Sequence, residues 1–213
     1  MSGAATWIDN NIVKPVVAIL PSPYKEGGSG NDTLYGYFPV NWLYGNGGND
    51  TLVAFGAANF LYGGSGNDYL EAYGGYNYME GGTGNDSMYG YGGGNKMYGG
   101  DGDDYMKAGG LYNKLDGGSG NNYMEAYGGY NEFYATWGND TIKGYGGGNT
   151  IKAGEGNNYV EAGGLYNSVT TGAGNETIRA YAAWNTISAG GGSNNIVTVG
   201  GYNSASSKPR SPT

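Results

Sequence analysis

The sequence predicts an all-β solenoid of about ten coils, each 18 residues long, and three observations predict it. Glycine supplies 47 of 213 residues, about three times ordinary usage, which requires either a repeat architecture or disorder. Disorder fits poorly, because 23 tyrosines and regularly placed Leu, Ile and Met are not the composition of a solvated tract. A five-letter phrase, GxGND, returns every 18 residues, as at the two ends of GGSGNDYLEAYGGYNYMEGGTGND over 63–86.

The Asp of that phrase falls at Asp32, Asp50, Asp68, Asp86, Asp104 and Asp140, on a grid whose other positions hold Asn122, Asn158, Glu176 and Asn194. Two residues after each grid position stands an apolar residue, from Leu34 to Ile196, and two before it a glycine, from Gly30 to Gly192. A second grid, nine residues out of phase, holds Asn in all ten copies, Asn41 to Asn203. Its apolar residues run from Leu43 to Ile187, and Ala205 ends the run. Each 18-residue unit is therefore two halves, and each half carries one x-apolar-x segment. That segment reads as a three-residue strand with its middle side chain inward. The glycine-rich remainder must reverse the chain in few residues, which needs backbone conformations that glycine adopts cheaply. Blocks 71–124 and 125–178 repeat YGGYN, YGGGN and GGLYN in the same order, so duplication of a three-coil block built much of the chain. Ten coils at roughly 4.8 Å give a rod about 48 Å long.

Two inward aliphatics per coil contribute about 1.5–3 kcal/mol each. They do not offset the ordering of 18 residues at about 1 kcal/mol or more apiece. The turns must be held by something else, and the two edges of the rod differ in how. On the first edge, carboxylates one coil apart repel by about 3.5 kcal/mol at an effective dielectric of about 20. A hard cation between coils reverses that sign, since Ca²⁺ takes oxygen ligands and glycine-rich turns expose carbonyls. On the second edge, asparagine is both donor and acceptor, so a row of identical side chains can bond along the rod with no ion.

GGSGNDTLY at 27–35, GGSGNDYLE at 63–71, GGTGNDSMY at 81–89 and GGDGDDYMK at 99–107 resemble the nonapeptide GGxGxDxUx, where U is apolar, of the hemolysin-type, or RTX, calcium-binding family. The resemblance covers about 27–205. It implies a right-handed parallel β-roll with Ca²⁺ held between coils by Asp side chains and loop carbonyls. It further implies type I secretion to the exterior and folding triggered by external calcium. The metal ligands it marks are Asp32, Asp50, Asp68, Asp86, Asp104 and Asp140. This sequence departs from the family in two ways. Every second nonapeptide has Asn for Asp, so only one edge can be a full calcium edge. That edge also thins: pairs are intact from Asp32 to Asp104, half-intact through Asn122 to Asp140, and absent beyond.

The outward positions form further files. Tyr73, Tyr91, Tyr127, Tyr145 and Tyr181 make one, and Tyr76, Tyr112, Tyr130, Tyr166 and Tyr202 another. Stacking of identical rings explains them more simply than an aromatic strip for sugars. Glu71, Tyr89, Lys107, Glu125, Lys143, Glu161 and Arg179 are expected to form a ladder of ion pairs between coils, each contributing little. That charge argues against an ice-binding face, whose candidate row (Ser29, Ser65, Thr83, Ser119) is irregular.

A net charge of −8 disfavours nucleic acid and anionic membranes. No apolar run is long enough to span a bilayer. The first residues lack the features of a cleaved signal peptide. With no His, no Cys and no unique acid–base pair outside the grid, catalysis finds no support. The expected division is an N-terminal cap or docking segment at 1–26, the repeat domain at 27–205 and a polar tail at 206–213. The tail is too polar to cover the last coil, while Ile12–Leu20 is apolar and has nothing of its own to pair with. The sequence therefore points to a secreted, calcium-stabilised structural protein that assembles head to tail with itself into an extracellular filament or matrix. A polysaccharide-binding or adhesive module is the alternative, and ice binding the third reading.

Overall fold

The computed structural model describes residues 22–208. Among these residues there are sixteen strands and no helix, and every strand pair is parallel. Partners lie 18 residues apart throughout: Leu34 faces Leu52, Leu52 faces Leu70, and the register carries on to Ile178 and Ile196. The expected all-β parallel solenoid of about ten coils is what forms.

Alternation along each strand sends the apolar grid inward. Leu34 to Ile178 line one wall of the roll and Leu43 to Ile187 the other, all but fully buried. Small residues two positions later complete the core, among them Ala54, Ala72, Ala108 and Ala126. Where that small residue is glycine, a larger neighbour fills the space. A Cβ at Gly90 would lie 2.9 Å from Met79 Cε, and one at Gly144 would lie 2.9 Å from a ring carbon of Phe133. Large and small thus alternate across the core, as close packing requires.

The second edge differs from expectation. Instead of short strands joined by tight turns, Tyr69–Thr83, Ser87–Asp101 and Tyr105–Ser119 each run 15 residues and carry their pairing around the corner. Gly74, Gly92, Gly110 and Gly128 pair in sequence along that corner. A Cβ at Gly92 would collide with the Gly74 carbonyl, so only glycine lets successive coils approach closely enough to keep the ladder unbroken.

The outward charges also behave differently from the expected ladder. Lys107–Glu125, at 3.7 Å, is the one ion pair of that file among the described residues. Glu71 accepts hydrogen bonds from Tyr69 and Tyr73, Glu125 from Tyr123 and Tyr127, and Glu161 from Tyr159 and Tyr145. Lys143 and Arg179 lie over the rings of Tyr123 and Tyr159. Tyrosines on the neighbouring files reach the carboxylates first and offer the cations a ring face in their place.

The ends of the rod are unlike. At the start, Tyr24–Glu26 pairs with Trp42–Tyr44 and sets Lys25 opposite Leu43, in the position of an apolar file residue. Lys25 is 8 % exposed and its ammonium donates to the Tyr35 carbonyl. At the other end, Asn195–Thr198 and Ser204–Ser207 pair only inward among the described residues, and Ser204–Ser207 is exposed throughout.

Candidate metal centre

The first edge is built from the GxGND turns. Gly48, Gly66, Gly84 and Gly102 sit at φ between 105° and 137°, which folds the Asp two residues later back beneath its own turn. Each carboxylate then bonds across one coil. Asp50 Oδ1 accepts the Asp32 amide at 2.7 Å, Asp68 that of Asp50 at 2.7 Å, Asp86 that of Asp68 at 2.8 Å, and Asp104 that of Asp86 at 2.8 Å. Asp140 accepts the Asn122 amide at 2.8 Å.

The other carboxylate oxygen carries the chemistry. Oδ2 of Asp50, Asp68, Asp86, Asp104 and Asp140 is buried and has no hydrogen-bond partner among the described residues. Below each of the first four lies the opening glycine of the motif, Gly45, Gly63, Gly81 or Gly99. A Cβ there would come within 3.0 Å of both that Oδ2 and the carbonyl of the matching glycine one coil on. Two acceptor oxygens face one small space with no donor between them. Such a space calls for a cation or a proton.

Substituted positions of the same file supply the missing donor. Asn158 Nδ2 donates to the carbonyls of Ala153, at 2.6 Å, and Gly156, at 3.2 Å, and Asn122 Nδ2 donates to that of Gly120. An amide settles where a carboxylate leaves an acceptor exposed to another acceptor.

Burial drives the carboxyl pKa values up. Asp50, Asp104 and Asp140 rise to about 6 and Asp86 to about 7, and Asp68 rises as well. For Asp50 and Asp86 the neighbouring carboxylates of the file add to the effect, against the pull of the accepted amide. Asp32, at the start of the row, is half-buried, and its Oδ2 takes the Gly28 amide at 2.6 Å. The structure thus brings the six sequence-marked aspartates into one file and gives five of them an orphaned oxygen. Among the described residues no three acidic, His or Cys groups converge, so an ion here would draw on two coils' carboxylates and on turn carbonyls. Oxygen donors of this kind suit Ca²⁺, and its charge would cancel the repulsion within the file.

Two contributors to this edge escaped the spacing argument. The Asn of GxGND forms a second ladder, with Asn31 Oδ1 accepting from the Asn49 amide, Asn49 from Asn67 and Asn67 from Asn85. Its signal was the Asn before nearly every grid position. The opening glycine is the other, and its recurrence as GG was the signal.

The second edge needs no ion. Asn41, Asn59, Asn77, Asn95, Asn113, Asn131, Asn149, Asn167, Asn185 and Asn203 are joined side chain to side chain at 2.6–2.9 Å without a break.

Fold and file together define a parallel β-roll of the calcium-binding class. The model of the RTX calcium-binding nonapeptide repeat matches 26–38, 40–70, 72–106, 98–133, 134–169 and 167–196, and the chain belongs to that family. Its repeats bind Ca²⁺, and the donor set described here fits that ion. Neither the curated proteins nor the solved structures contain a significant match.

Proposed function

We propose that the chain is an extracellular structural rod, set by calcium and assembled head to tail into a filament or matrix. RTX repeat proteins are typically secreted and non-catalytic, and no helix of the described residues is long and apolar enough to cross a membrane. A file of buried carboxylates facing carbonyls is at home where free calcium is plentiful. The observation that carries the assembly reading is the C-terminal end, where Asn195–Thr198 and Ser204–Ser207 have no outer partner among the described residues. Open parallel edges template further strands. The apolar segment expected for that role, Ile12–Leu20, lies outside the described residues.

One feature favours the second reading, a polysaccharide-binding or adhesive module. Tyr166, Trp184 and Tyr202 are 64, 48 and 78 % exposed, and their φ values are 61°, 66° and 58°. Bulky residues hold such a conformation only at a cost. Stacking does not set this file apart, since Trp184 and Tyr202 lie 4.4 Å apart and 9° from parallel, much as Phe55 and Tyr73 do at 5.0 Å and 2°; its exposure and its left-handed backbone do. Electron microscopy and light scattering at micromolar concentration with calcium separate the two. Filaments support assembly, and a persistent monomer hands the function to the adhesive reading.

A further inference from the structure

Past Asp140 the nonapeptide pattern marks no further calcium pair, yet the structure leaves another carboxylate in the same predicament. Glu176 takes the grid position one coil after Asn158 and is 1 % exposed. Its Oε2 accepts the Asn158 amide at 3.2 Å, while Oε1 is buried with no partner among the described residues. The amides on either side of it in the file are already committed. Asn158 Nδ2 donates to Ala153 and Gly156, and Asn194 Nδ2 donates to Gly190 and to Ser207, both at 2.9 Å.

A second carboxylate reaches the same turn from outside. Glu155 is exposed, and its Oε2 accepts the Ala173 amide across one coil at 2.7 Å. That bond holds it against the Gly172-Ala173-Gly174 turn. A Cβ at Gly172 would lie 2.8 Å from Glu155 Oε1 and 2.5 Å from the Gly154 carbonyl, and one at Gly174 would lie 2.6 Å from Glu176 Oε1. Two carboxylates and a turn carbonyl therefore crowd one glycine turn, and one of the carboxylate oxygens is buried with nothing to bond.

We propose that Glu155 and Glu176, with carbonyls of the 154–156 and 172–174 turns, hold a further divalent cation of the calcium class in the C-terminal coils. The residues are glutamates in positions where the repeat would have an aspartate or a variable residue, so the spacing rule passes over them. Such a site carries cation stabilisation beyond the last aspartate and ties two successive coils together. It stands whether or not the rods assemble.

The test uses the full chain, its Glu176→Gln variant and its Glu155→Gln variant. Bound calcium is counted by native mass spectrometry. Hydrogen exchange is followed at Thr177–Ala180 and Asn195–Thr198 in calcium and in chelator. The expected result is one calcium fewer in each variant and loss of the calcium-dependent protection of those two strands, with that of Thr51–Phe55 unchanged. Identical exchange of the two strands with and without calcium in the unmodified chain would overturn the site. So would variants that keep the full calcium count and protection, which would mean that Glu176 simply holds a proton. If Glu176→Gln exposes the C-terminal coils even in chelator, the exposed Glu155 decides: an unaltered count in Glu155→Gln sinks the proposal.

Discussion

At the residue scale, protons and calcium compete for the same oxygens. The aspartates of the first edge hold protons up to about 6 or 7 in the folded chain because burial disfavours their charge. Unfolded, they release them near the ordinary carboxylate value of about 3.9. The folded chain therefore binds more protons between those values. The stability these groups contribute is full below about 4 and is lost as pH rises through 6–7. In chelator the melting temperature should fall from pH 4 to pH 8, and calcium should restore it at the upper end, with an affinity that weakens as pH drops through the same window. A chelated rod equally stable at both pH values would count against buried, cation-seeking carboxylates. The two edges should also respond oppositely to charge. Asn77 donates to Asn95 Oδ1 at 2.8 Å and to the Tyr91 carbonyl at 3.1 Å, so Asn77→Asp sets a carboxylate against two acceptors. A loss of about 3–5 kcal/mol is expected, the range for an uncompensated buried charge. Asn122→Asp restores a carboxylate between Asp104 and Asp140, and in calcium its melting temperature should drop less. The reverse order, measured by thermal melts in calcium, would remove the distinction between the edges.

At the element scale, the coil was legible because its period was. Spacing gave the two apolar files, the asparagine row and the aspartate row, since an 18-residue repeat must superpose equivalent positions. It did not give the path of the chain between them. The second corner keeps its strand pairing because stacked glycines such as Gly74 and Gly92 admit close contact, and composition alone does not distinguish that from a tight turn. Nor did spacing reveal that the Asp side chains turn under their loops, which depends on the opening glycine. Lys25 was missed for a related reason: it is on the grid, 18 residues before Leu43, but its charge hid it from a search for apolar residues. Its long stem lies along the core while the ammonium finds a carbonyl. Core fit gives a further expectation. Gly144→Ala would bring a methyl to 2.9 Å from Phe133 and 2.7 Å from Asn149 Oδ1, costing about 1–3 kcal/mol by overpacking. Coils with alanine at this position, such as Ala126, accommodate the asparagine row. Adding Phe133→Leu should therefore recover part of the loss in denaturant melts, and a double variant no better than the single one would place the strain elsewhere.

At the scale of the whole molecule, the rod has a guarded end and, among the described residues, an open one. An inward-pointing charge is one way a sheet end resists casual pairing, and Lys25 supplies it at the start, capping the file above Leu43. Among the described residues the last coil has no such guard: Ser204–Ser207 is exposed, Ile196 is only partly buried, and Val197 and Val199 are exposed. Unlike ends favour a heterologous joint, in which each copy offers one surface and receives another, and such joints propagate into filaments unless rotation closes them. On the proposed reading, the apolar Ile12–Leu20 of one copy covers the open coil of the next. Removing residues 1–21 should then leave the roll intact, since Tyr24–Glu26 and its lysine remain in place, while abolishing assembly. Five or six apolar side chains at about 1.5–3 kcal/mol each exceed what a joint needs even after ordering costs. Circular dichroism and light scattering of the shortened chain in calcium give the answer. Retained β signal with lost scattering supports the docking segment. Lost β signal would mean that the segment caps its own first coil, and undiminished filaments would mean that the joint lies elsewhere.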